Sequence, residues 1–115
     1  MRLGSSIACG ALALALSAGC APRDPDVEAS EALARNQALI VAGNLAYRSG
    51  KYQLAAKRYA AAAVAKKDDP AAYFGMGMAL ARLGRIEEAR AAYTRSRELA
   101  RRQPRRRRRR VRRVA

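Results

Sequence analysis

An all-α fold is expected, and three observations carry that expectation. Alanine is the commonest residue, aromatic residues make up 5% of the chain and tryptophan is absent, a balance that favours helix over sheet by propensity alone. Asp69-Pro70 is a helix start, an N-cap followed by a ring whose missing N–H costs nothing in the first turn. Finally, glycines, tyrosines and large apolar residues recur at a fixed offset of 34 residues, a period of the length that marks stacked supersecondary units.

The chain has 115 residues with 24 basic and 9 acidic side chains, a formal charge of +15. Ten of the basic residues are arginines that follow Ala100, which leaves 14 basic against 9 acidic elsewhere. The extreme charge therefore belongs to the tail, and the part able to bury a core is about 80 residues, one small domain.

At the start of the chain, Arg2 precedes an apolar run over residues 7–17, the length of a signal-peptide core. Leu16-Ser17-Ala18-Gly19-Cys20 follows. This stretch resembles the lipobox of bacterial lipoprotein precursors, although the leucine stands one position further from the cysteine than the family pattern has it. The resemblance implies a signal peptide over residues 1–19, lipidation of Cys20 and a short tether over residues 20–26. Two acyl chains suffice for stable anchoring where one does not. Ala21, standing where an aspartate would signal inner-membrane retention, points to the outer membrane facing the periplasm. An uncleaved anchor and cleavage by the ordinary signal peptidase are the competing readings; the first is weakly apolar for a bilayer span, and the second places Pro22 beside the cut.

Helices are expected from Val27 or Leu33 to Ser49, from Tyr52 to Lys66, from Ala71 to Leu83 and from Ile86 to about Arg102. Residues 27–35 form a helical extension ahead of the repeats that could pack over the N-terminal end. Gly50 and Gly84 can adopt the left-handed conformation that ends the first helix of each pair. Gly43 pairs with Gly77, Ala55 with Ala89, Tyr59 with Tyr93, and Tyr52 with Ile86 across the same offset. Missing side chains at such places let two helices of a hairpin approach closely.

The first segment reads Leu39-x-x-Ala42-Gly43-x-x-Ala46, then Ala55-x-x-x-Tyr59-x-x-Ala62; the second reads Tyr73-x-x-Met76-Gly77-x-x-Leu80, then Ala89-x-x-x-Tyr93-x-x-Ser96. Together they resemble two tetratricopeptide repeats (TPRs), over residues 36–69 and 70–103. Leu39 and Ala46 stand where the family prefers bulkier aromatics, and neither repeat closes on a proline. The resemblance implies a fragment of a right-handed α-solenoid in which the first helix of each pair lines a concave groove for an extended peptide or a partner helix. By position, the groove would be lined by Gln37, Ile40, Asn44, Tyr47 and Arg48 from the first repeat. Ala71, Phe74, Met78, Ala81 and Arg82 would follow from the second. Asn44 can donate to and accept from a peptide backbone, Arg48 and Arg82 can fork onto a carboxylate, and Ile40, Phe74 and Met78 offer apolar contacts. The competing reading makes Tyr47 part of helix packing and the two arginines solvated helix-end charges. Solenoid repeats contact only their neighbours, so the last apolar face, around Tyr93 and Leu99, needs a cover.

Residues 104–115, with Arg105, Arg106, Arg107, Arg108, Arg109 and Arg110 in one block, carry like charges without apolar periodicity and read as a disordered polycation. Anionic lipid, lipopolysaccharide phosphate or nucleic acid would be its ligand; low complexity without function is the other reading. An export signal and the lack of interleaved aromatics argue against nucleic acid.

Histidine is absent and both cysteines, Cys9 and Cys20, fall in the leader region. Cys/His zinc sites and Ser-His-Asp or Cys-His catalytic sets are thereby excluded. Glu87, Glu88 and Glu98 share one exposed helix and form no cleft. Neither an enzyme nor a cofactor is expected. The sequence points to a lipid-anchored, noncatalytic scaffold or assembly factor of the bacterial cell envelope, binding another protein in its groove and able to associate with itself, with a tail-driven polyanion-binding protein as the alternative.

Overall fold

The computed structural model describes residues 21–103. They form four helices, α1 (Pro25–Arg48), α2 (Tyr52–Ala65), α3 (Pro70–Arg82) and α4 (Ile86–Arg102), arranged as two consecutive hairpins with α2 packed between α1 and α3. Cys20 and Arg105 to Arg110 lie outside the described residues.

Both hairpins begin and turn by the same local chemistry. Asp24 and Asp69 each precede a proline, and each carboxylate accepts the backbone N–H two residues on, from Asp26 and Ala71, at 3.0 Å. The proline in the first turn has no donor to leave unsatisfied. At the other end, α1 and α3 close identically. The N–H of Gly50 bonds the Tyr47 carbonyl at 3.0 Å and that of Lys51 the Ala46 carbonyl at 2.9 Å. Gly84 and Arg85 repeat the pair on Ala81 and Leu80, at 3.1 and 3.0 Å. This double closure needs a left-handed residue, and Gly50 and Gly84 hold φ of 73° and 76°.

Two expectations change at the N-terminus. Asp24 caps α1 before Pro25, so the last two residues assigned to the tether are the first turn of a helix. The extension does not fold over the end of the domain either: it continues α1 without a break, and apart from half-buried Ala32 its residues 25–35 are exposed. No break occurs because nothing between Asp26 and Arg35 is a helix breaker.

The core is built from alanine, which lets helix backbones approach closely. Ala46, Ala55, Ala56, Tyr59 and Ala79 form one cluster, Ala62, Ala63 and Ala72 a second, and Leu80, Ala89 and Ala92 a third. Tyr59, the largest fully buried side chain, is 1% exposed. Its ring lies between two glycines on different helices. A Cβ at Gly43 of α1 would stand 2.8 Å from the ring, and one at Gly75 of α3 would stand closer still. Tyr93 occupies the matching place in the second hairpin, where a Cβ on Gly77 would also fall 2.8 Å away.

The last face needs less cover than expected. Leu99 is only 5% exposed, with Lys67, Asp68 and Gln103 around it and the Gln103 side-chain amide donating to the Asp68 carbonyl at 3.1 Å. Where α2 presents Ala56, Ala60 and Ala63 towards α3, the same positions of α4, 34 residues on, are Arg90, Thr94 and Arg97. The surface that receives a following hairpin on α2 has become polar on α4.

Candidate functional site

The groove residues from α1 and α3 fall into two groups, those that neighbours use and those left for a ligand. Ile40 is half-buried and packs against the clusters of Ala46–Tyr59 and Ala62–Ala72, so it is as much core as lining. Phe74, one period later, is 51% exposed and lies against Tyr93 with the two rings tilted and their centroids 5.5 Å apart. The two positions differ because a helix follows α2 and none of the described helices follows α4. Met78 is half-buried, while Gln37, Arg48 and Ala71 are exposed; Ala81 packs against the third cluster.

Asn44 is exposed but not idle. The Tyr59 hydroxyl donates to its Oδ1 at 2.6 Å, so the core tyrosine reaches the groove with its polar end. Burial pushes the Tyr59 phenol above its ordinary pKa, with the nearby Tyr47 phenol adding to the shift and the Arg48 guanidinium opposing it. The neutral phenol is thus the form that holds Asn44, while the Asn44 Nδ2 makes no hydrogen bond among the described residues and is the donor left for a backbone carbonyl.

Tyr47 and Arg82 join the two hairpins at the far end of the groove. The Arg82 Nε donates to the Tyr47 hydroxyl at 3.1 Å, and its guanidinium lies 5.9 Å from the Tyr47 ring centroid and 5.7 Å from that of Tyr52. The two rings meet edge to face at 5.2 Å. Hydrogen bonding to Tyr47 raises the Arg82 pKa further, and the guanidinium stays charged. A carboxylate approaching Arg82 would find the η nitrogens, since Nε is taken. Arg48 is held by no ion pair among the described residues.

Sequence reasoning missed one repeated pair. Asn36, 1% exposed, donates from Nδ2 to the Ala62 carbonyl at 3.0 Å. Ser96 donates from Oγ to the Pro70 carbonyl at 2.9 Å. The offset of 34 relates Asn36 to Pro70 and Ala62 to Ser96, so both hairpins are tied at the same place with donor and acceptor exchanged. That offset was the available signal. Gly75 was missed as well, because its partner is the tyrosine of the preceding hairpin and not of its own.

Among the described residues, no group of three metal-ligating side chains converges and no helix is long and apolar enough to cross a membrane. The site offers hydrogen-bond donors, one anchored cation and apolar contacts, which suit binding rather than bond-making.

No curated protein and no solved structure matches the chain. A family model described as tetratricopeptide repeat matches residues 40–104, more than half of the sequence, from within α1 through α4. With two hairpins closed by the same glycine geometry and joined through an alanine-lined core, the chain belongs to the tetratricopeptide repeat family, whose hairpins serve as noncatalytic protein-interaction modules.

Proposed function

We propose that this protein is a membrane-anchored scaffold of the bacterial cell envelope that holds an extended segment of another protein along α1 and α3. The observation that carries the groove reading is the pairing of a half-exposed Phe74 with a donor at Asn44 and a cation at Arg82, all on the first helices of their hairpins. An apolar side chain of the ligand rests on Phe74 and Met78, a backbone carbonyl takes the Asn44 amide, and an acidic group meets Arg82. The anchor reading rests on Leu16-Ser17-Ala18-Gly19-Cys20, and an unmodified Met1 in the mass spectrum of the mature protein would sink it.

Panning an extended-peptide library against the full chain tests the groove. Selected peptides are expected to combine an apolar residue with an acidic one. Their affinity for the Phe74→Ala variant should fall by about tenfold, the size of one lost apolar anchor. Peptides that bind Phe74→Ala and Arg82→Ala as well as the parent protein would place the interaction elsewhere.

A further inference from the structure

The side of α1 that faces away from α2 carries a line of apolar residues on which none of the described residues packs. Ala34, Ala38, Val41 and Leu45 follow one another at three- and four-residue spacing, which keeps them on one face, and Val41 and Leu45 are each 67% exposed. On α3 the positions one period later are Ala72, Gly75 and Ala79, and that face is covered by α2. A helix shaped like α2 does not fit α1 in the same way. Its tyrosine needs the empty space of Gly75, and Val41 fills that place on α1.

We infer that the occupant is the same face of a second copy of this protein, with the two α1 helices antiparallel about a two-fold axis between residues 39 and 40. In that register Leu45 of one copy lies opposite Ala34 of the other and Val41 opposite Ala38. Each large side chain thus meets a small one, the condition for interdigitation. The same register sets Arg48 opposite Glu31, twice by symmetry. Charge supports it independently. Asp24, Asp26, Glu28 and Glu31 crowd the first two turns of α1, none of them in an ion pair among the described residues, whereas Arg48 and Lys51 stand at its other end. An antiparallel pair joins the acidic end to the basic one and also opposes the helix dipoles; a parallel pair would put eight carboxylates together.

Sedimentation equilibrium of the full chain in a neutral detergent tests this. A single helix pair is smaller than a standard interface of about 1,600 Å², so a concentration-dependent dimer in the micromolar range is expected. Glu31→Arg should weaken association about tenfold and Glu31→Arg with Arg48→Glu should restore it, while Leu45→Glu should leave only monomer. These residues are exposed, so circular dichroism should show the variants folded. A monomer at all concentrations would overturn the inference. So would an association indifferent to Leu45→Glu, which would belong to residues 1–20, or a double swap that fails to restore what Glu31→Arg removed.

Discussion

Tyr59 and Tyr93 are the same residue at the same place of two successive hairpins, yet Tyr59 is 1% exposed and Tyr93 half-buried. The difference lies in what comes next along the chain. Tyr59 has Gly43 of its own hairpin on one side and Gly75 of the following one on the other; Tyr93 has Gly77 on one side, and Phe74, Arg90 and Arg97 border a shallow depression on the other. Repeat position therefore specifies which residue is present, but burial is set by the neighbour. Among the described residues, one tyrosine is a keystone between two hairpins and the other borders an outer face.

Truncating each ring gives the largest test of that contrast. Tyr59→Ala should cost about 3–5 kcal/mol, the range for deleting a buried aromatic, which is most of the stability of a domain this size. Tyr93→Ala should cost less than half as much, because its ring is partly in water already. Urea unfolding followed by circular dichroism measures both, and equal losses would mean that the second tyrosine is as enclosed as the first.

Adding a methyl on the other side of each contact is a smaller and sharper probe. Gly75→Ala gains about 1 kcal/mol of helix propensity, but its Cβ collides with a ring that Gly43 prevents from retreating, so a net loss of about 1–2 kcal/mol is expected. Gly77→Ala meets a ring with free space behind it and should be near neutral. A stabilising Gly75→Ala would show that the Tyr59 ring has room to move.

Much of this arrangement was legible in the sequence. The glycines at 50 and 84 and the Asp69-Pro70 pair act within a few residues, and they placed the starts of α2 and α4 at Tyr52 and Ile86 and both ends of α3 to within one residue. The beginning of α1 was less legible, because Asp24-Pro25 carries the same start signal as Asp69-Pro70 but sits in a stretch that also reads as a polar tether. The candidate groove divides the same way. Which residues lie on the first helices followed from the 34-residue offset. That Tyr59 occupies the Asn44 carbonyl oxygen, or that Tyr47 occupies the Arg82 Nε, did not. Those contacts join different helices, and a period read along one chain carries no information about the distance between them. Asn36 shows the limit from the other side: the offset matches it to Pro70 and Ala62 to Ser96, but the matching alone does not say that these positions meet across their hairpins or that Asn36 is buried.

The polar end of Tyr59 provides the finest distinction from Tyr93. Tyr59→Phe keeps the ring between its glycines and removes only the 2.6 Å hydrogen bond to Asn44, so near neutral pH it should cost about 0.5–1.5 kcal/mol. Burial raises the Tyr59 pKa above its ordinary 10.0, which means that the folded protein holds this proton more tightly than the unfolded chain. The contribution is complete below that ordinary value and is lost as pH climbs through it towards the folded one. Phenylalanine has no proton to lose. The stability gap between parent and Tyr59→Phe should therefore narrow between about pH 9 and pH 11, and near neutral pH Tyr93→Phe, whose hydroxyl makes no hydrogen bond among the described residues, should cost less than Tyr59→Phe. Unfolding midpoints in urea at the two pH values decide it, and a gap that stays constant for Tyr59→Phe would mean that the buried phenol titrates as it does in the unfolded chain.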